Sequence, residues 1–232
     1  MWTPTPMEVE AALLSLRVAA VAVLTSLPLG IFVAWLLARR TFPGKILLDG
    51  LVHLPLVLPP VVVGYLLLVL FGRRGPVGAW LDQAFGITIA FTWKGAALAA
   101  AVMAFPLMVR AIRLSLEAVD RRLEAAARTL GASPAWVFLT VTVPLMLPGI
   151  LTGTLLAFAR SLGEFGATIT FVSNIPGETR TLPLALFTFT QTPGGDASAV
   201  RLVVISAALA LAALIASELL ARRITRRIGM ST

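Results

Sequence analysis

Residues 18–40 read VAAVAVLTSLPLGIFVAWLLARR, an uncharged apolar run from Val18 to Ala38 that closes on Arg39 and Arg40. A helix needs about 20 apolar residues to cross a bilayer core, so the run predicts a first transmembrane helix. It does not read as a secretory signal. Its basic residues follow the apolar stretch, it is too long for a signal core, and no small-residue cleavage site precedes the arginines. Arg17, at the opposite end, is placed to snorkel toward the interface.

The rest of the 232-residue chain has the same character. Hydrophobic residues make up 58% and charged residues 13%, against about 25% charged in a soluble domain; the mean hydropathy is +0.93. So little charge cannot cover a globule of this size with a water-compatible surface, and lipid is its natural solvent. The length suits about five helical crossings (six possible) in a single transmembrane domain, 1–232, of an all-α integral membrane protein.

Further apolar tracts run from about Leu51 to Phe71, Ile87 to Val109, Val143 to Leu162 and Leu202 to Leu220. The second holds Pro55, Pro59, Pro60 and Gly64, which predicts a kink or interruption whose freed backbone groups must be satisfied by protein or water. Thr181 to Gln191 is amphipathic enough to lie at an interface. Gly72 to Gly86 reads as a loop, and Leu116 to Thr140 as a helical hydrophilic segment punctuated by Gly131 and Pro134.

With the N-terminus outside, twelve Lys and Arg residues fall on the inner side and six on the outer. That is the expected positive-inside bias, and it puts the C-terminus in the cytoplasm. The terminal arginines Arg222, Arg223, Arg226 and Arg227 then read as an anchor to anionic headgroups.

The net charge of +8 does not indicate nucleic acid, because no basic stripe with interleaved aromatics occurs. The chain has no cysteine and a single histidine, His53, so thiolate chemistry and Cys or His metal clusters are excluded. No metal or cofactor is expected, and His53 reads as an interfacial hydrogen-bonding residue. There is no G-x-x-x-x-G-K-[ST] phosphate loop and no acidic pair buried mid-span. An intramembrane enzyme is therefore poorly supported, and the chain has no nucleotide site of its own.

Four stretches carry candidate function. The loop at 114–142, with Glu124, Ala125, Ala126, Ala127, Gly131, Ala132 and Pro144 in and just after it, has the compact helical look of a docking element. Small alanines allow close approach to a groove on a partner; the alternative is an ordinary juxtamembrane helix. Arg160 and Glu164 lie four apart and share a helix face. Either Arg160 lends positive potential to a passing anion beside Phe165, or the pair orders the helix end. Pro59 and Pro60 either expose helix-end amides to an anion or make a packing kink. Outside, Asn174, Pro176, Gly177, Glu178 and Arg180 form a punctuated loop that contacts a soluble partner or caps a pore.

These residues bring a resemblance into view. Ala125-Ala126-Ala127, Gly131 and Val141-Thr142-Val143-Pro144 resemble the loop of bacterial ATP-binding-cassette importer permeases, written EAA, three residues, G, nine residues, I-x-L-P. Ala125 stands at the motif's glutamate position and Glu124 lies one residue upstream, so an acidic contact to an ATPase is either lost or supplied by Glu124.

The string His53 to Tyr65 is similar to the ModB family of molybdate-transporter permeases, as are Phe105 to Arg110, Ala157 to Thr168 and Ser173 to Thr181. The likeness runs from about Leu13 to Leu220. It implies a MetI/ModB-like permease fold in a bacterial cytoplasmic membrane, a second copy of the chain, two cytoplasmic ABC ATPase subunits and an external oxyanion-binding protein. The implied cargo is molybdate, with tungstate close behind. A sulfate or thiosulfate permease, or a carrier or channel needing no ATPase, remains the alternative.

Overall fold

The computed structural model describes residues 3–227, with the side chains of 217, 218 and 220–227 outside the described set. The terminal arginine anchor expected from the sequence lies among those side chains.

Helix α1 spans Pro6–Arg39. It starts twelve residues before the apolar run because Thr5 and Glu8 form a capping box: Thr5 Oγ1 accepts from the Glu8 amide and Glu8 accepts from the Thr5 amide. This satisfies donors that a helix start otherwise leaves unpaired, and Pro6 is compatible with the first turn. At about 1.5 Å per residue the helix exceeds one membrane thickness.

The second tract is broken rather than gently kinked. Helices α2 (Lys45–Val57) and α3 (Pro60–Phe71) meet at 115° across Leu58 and Pro59. Pro59 and Pro60 lack amide hydrogens, so no continuous hydrogen-bond ladder can pass between the two helices. The stretch expected to be a loop at Gly72 to Gly86 contains helix α4 (Pro76–Phe85), which opens on Pro76 and closes on Gly86 in the left-handed region.

Helix α5 (Trp93–Ala118) is capped by Thr92 and runs nine residues past its apolar tract. Helix α6 (Arg121–Thr129) and helix α7 (Pro134–Val137) follow. A π-helical turn at Phe138–Thr142 then leads without interruption into α8 (Val143–Leu162). The expected loop at 114–142 is thus shorter in fact. Its first residues finish α5, and from Pro134 onward it is the start of a 29-residue apolar helix.

Helices α9 (Gly166–Val172) and α10 (Leu182–Thr190) precede the final helix α11 (Asp196–Arg227). Among the described residues, four helices are long and apolar enough to cross a membrane, and the bent α2–α3 pair makes a fifth if it forms one span.

The core is built around α5, which packs most extensively on α8 and α1. One apolar cluster joins the halves of α1, α5 and α8 nearest Arg39 through Leu37, Met108, Ile112 and Met146; another joins α1, α3, α5 and α9 through Val18, Leu67, Met103 and Phe171. The α5–α8 seam is close because α8 carries Gly149 and Gly153. A Cβ at Gly149 would overlap Ser115, and one at Gly153 would lie 2.9 Å from the Met108 carbonyl oxygen. This small-xxx-small spacing suits membrane helix pairs, where packing and not hydrophobicity drives association.

Helix α10 is not a loose interfacial helix. Leu182, Leu184 and Ala185 are buried, and Leu182 and Ala185 pack with Ala11 of α1 and Leu202 of α11.

Candidate functional site

The α6 loop forms a defined surface. Asp120 caps α6 by accepting from the Arg122 amide. At the far end Gly131 takes φ +86°, with its amide bonded to the Arg128 carbonyl and the Ala132 amide to the Ala127 carbonyl. This is the left-handed helix stop that glycine adopts at little steric cost. Ser133 then starts α7 by accepting from the Trp136 amide, with Pro134 in the first turn.

Ala125 and Ala126 are exposed, and Ala127 and Ala132 are half-buried. Around them Leu123, Leu130, Trp136 and Leu139 are exposed, Leu130 to 88%. Pro144 lies in the first turn of α8.

Glu124 points back into the protein. Its Oε1 lies 3.0 Å from Arg39 at the end of α1 and accepts from Thr142 Oγ1 at 2.9 Å. The α6 loop is thereby tied to two spans through one carboxylate.

Near the other membrane face, Arg160 and Glu164 form an ion pair at 2.6 Å, with Glu164 buried and Arg160 partly exposed. Glu164 Oε1 also accepts from the Ala167 amide in the first turn of α9. Its charge is therefore already engaged twice. Gly166 packs against Pro60, Gly64 of α3 closely approaches Ala167, and the Phe165 ring lies 5.3 Å from Phe187. The structure thus brings Pro60, Glu164 and Phe165 into one neighbourhood, although 104 positions separate Pro60 from Glu164 in sequence. At the break itself, the Val62 and Val63 amides are taken by the Pro59 carbonyl.

The loop at Asn174 to Arg180, expected to lie outside, is braced from within. Asn174 donates to Thr188 Oγ1 at 2.8 Å and accepts from Arg180 Nε at 3.0 Å, and Glu178 accepts from the Trp93 amide at the start of α5. The buried Thr179 accepts from the Ile175 amide and donates to the Ser173 carbonyl. The loop's exposed residues are Ser173 at its start and the tip, Ile175, Pro176 and Gly177. Arg17 stacks over Trp93 at 3.8 Å, a cation–π contact in place of simple snorkelling.

Sequence reasoning missed Glu8. It is fully buried and pairs with Arg201 of α11 at 2.9 Å, with Ser198 completing the cluster. The Thr5-x-x-Glu8 spacing was the available signal. A second cluster ties α2 to α5: Arg113 bonds Asp49 and Glu117, and His53 Nδ1 lies 2.8 Å from the Asp49 carbonyl oxygen. Among the described residues no group of three or more His, Cys, Asp or Glu side chains is arranged to hold a metal.

Broken and continuous spans around a buried central helix, with a short exposed helix at one membrane face, define a polytopic membrane permease. The chain belongs to the family described as "Binding-protein-dependent transport system inner membrane component", whose model matches residues 26–226, and within it to the ModB permeases.

It is 68% identical over 225 residues to the molybdenum transport system permease protein ModB of Escherichia coli K12, covering 97% of this chain and 98% of that one. Its identity to the ModB of Haemophilus influenzae is 60%, with 96% and 97% covered. The sulfate transport system permease protein CysT of E. coli K12 is more distant, at 39% identity over 89% of this chain and 74% of that one.

Two solved ABC transporters share the fold. One imports the acidic polysaccharide alginate (TM-score 0.76, 15% identity, 95% and 81% covered) and the other is the methionine transporter MetNI (TM-score 0.70, 17% identity, 94% and 96% covered). These confirm the all-helical importer-permease fold. The chain is thus a transport component of the inner membrane.

Proposed function

We propose that this chain is the permease subunit of an ATP-driven importer that moves molybdate, and tungstate with it, across the cytoplasmic membrane. The observation that carries this reading is the near-full-length identity of 68% to a molybdenum permease. CysT's lower identity argues against sulfate as the main cargo. Two copies of the chain form the pathway, with their N-termini outside and C-termini inside, as the arginine distribution supports.

The loop within 114–142 is the coupling element. The exposed face of α6, with Leu123, Leu130 and Trp136 around Gly131, suits two cytoplasmic ATPase subunits, whose stroke drives alternating access. Glu124 does not serve as the acidic contact to the ATPase, because Arg39 and Thr142 already hold it. The loop tip at Pro176 and Gly177 meets an external oxyanion-binding protein. The region around Pro60, Arg160, Glu164 and Phe165 forms the gate. The pairing of partly exposed Arg160 with buried Glu164 favours ordering of the helix end over anion binding, since a paired arginine attracts anions weakly.

The test is uptake of labelled molybdate by cells that lack their own molybdate permease and express this chain with its ATPase and binding protein. Uptake is expected to need the ATPase, and excess tungstate to suppress it far more than excess sulfate. Uptake without the ATPase, or suppression by sulfate alone, would overturn the reading.

A further inference from the structure

At the Arg39–Arg40 end of α1, a cavity of about 930 Å³ opens between α1, α6 and the start of α7. This lies in the range of small-ligand sites, roughly 300–1,000 Å³. Four arginines line it, Arg39, Arg40, Arg121 and Arg128, against the single carboxylate of Glu124.

Glu124 is paired with Arg39, so the other three arginines have no carboxylate there. Arg40 lies 5.2 Å from the Trp35 ring in a cation–π contact, and among the described residues Arg40, Arg121 and Arg128 make no ion pair. Arg39 Nε is buried without a hydrogen-bond partner.

The remaining wall is apolar and aromatic, formed by Phe32, Trp35 and Phe138. It continues along α1 toward the bilayer interior. One end of the cavity therefore suits a phosphate-bearing group and the other a hydrocarbon chain. A free phosphate or molybdate would use only the first.

We infer that this cavity is a binding site for an anionic phospholipid of the inner leaflet, its headgroup phosphate held by Arg40, Arg121 and Arg128 and its acyl chain lying on Phe32 and Trp35. Basic pockets between transmembrane helices on the cytoplasmic side recognise acidic headgroups in this way. Because α1, α6 and α7 all contribute to the walls, the lipid braces the α6 loop against the first span. The inference rests on the proposed orientation, with Arg39 and Arg40 at the inner leaflet, but not on which oxyanion is carried.

The test uses the assembled transporter, purified in mixed phosphatidylglycerol and phosphatidylcholine, with retained lipid counted by native mass spectrometry. An arginine in contact with a bound anionic headgroup at the membrane surface is worth about a fivefold preference for that lipid. The double variant Arg40→Gln with Arg128→Gln is therefore expected to lose about 25-fold of the preference for phosphatidylglycerol. The variant Arg73→Gln with Arg74→Gln removes the same charge from exposed positions outside the cavity, and is expected to keep that preference.

On the unaltered protein, a photoactivatable phosphatidylglycerol should crosslink within residues 32–40 or 121–138. That measurement stands even if the double variant fails to assemble. Four results would overturn the site: equal retention by the cavity variant and the unaltered protein; crosslinks only elsewhere; displacement of the lipid by free phosphate or molybdate, which would make the ligand a soluble oxyanion; or loss of the lipid when the ATPase assembles, which would make the cavity part of that protein interface.

Discussion

Replacing Gly131 separates a backbone requirement from a steric one. Helix α6 has only nine residues, too few for an isolated helix to be stable in water. Its end depends on the turn in which the Gly131 amide bonds the Arg128 carbonyl and Ala132 the Ala127 carbonyl. That turn requires φ +86° at Gly131, and a Cβ added there would meet nothing within 4 Å. The cost of substitution is therefore conformational. An L-residue in the left-handed region costs about 1–2 kcal/mol, with asparagine at the low end and a β-branched residue beyond the high end.

At tenfold per 1.4 kcal/mol, this makes opening of the turn about 5–30 times more frequent. Gly131→Asn, Gly131→Ala and Gly131→Val should thus lose protection in that order when amide hydrogen exchange is followed across residues 121–133 of the assembled transporter. Molybdate uptake should decline in the same order while membrane insertion is unchanged. Equal exchange in the asparagine and valine variants, or full uptake with valine, would refute the argument.

Other substitutions test the rest of the frame. Gly149→Ala should lower stability by about 1–3 kcal/mol through overpacking against Ser115, whereas Gly163→Ala, which faces open space, should leave the melting temperature in detergent unchanged. Glu8→Gln removes the charge partner of Arg201; the melting temperature should fall, and adding Arg201→Gln should cost less than it does alone. For Arg160 and Glu164, each single glutamine variant should destabilise more than half of what the double does, because the second change removes an already unpaired charge. Uptake abolished only by Arg160→Gln, with no change in stability, would instead favour direct attraction of the anion. Glu124→Gln should loosen α6 from α1, read as faster exchange of the α6 amides without loss of the long helices.

The apolar spans were legible because their signal is sustained over many residues. What the sequence hid was local or distant. The early start of α1 rested on two residues, Thr5 and Glu8, ahead of any apolar run. Pro134 read as punctuation, yet after the Ser133 cap it begins a helix, since proline in a first turn loses no intrahelical bond. Pro59 and Pro60 announced a break, but its 115° angle is set by packing of α3 on α9. Of the candidate residues, Arg160 with Glu164 was visible from spacing alone. The Arg39–Glu124 and Glu8–Arg201 pairs join residues 85 and 193 positions apart, a separation over which a single sequence carries no pairing signal.

The Glu124 carboxylate has a mechanical consequence. It pins α6 to the end of α1 through Arg39 and to the foot of α8 through Thr142, while α5 leads into α6 through the short joint at Val119 and Asp120. The loop is thereby held at three points: Arg39, Thr142 and the buried Val119 at its start. Under the proposed coupling role, a push on it is delivered to α1 and α8 together, the two helices that pack most extensively on α5.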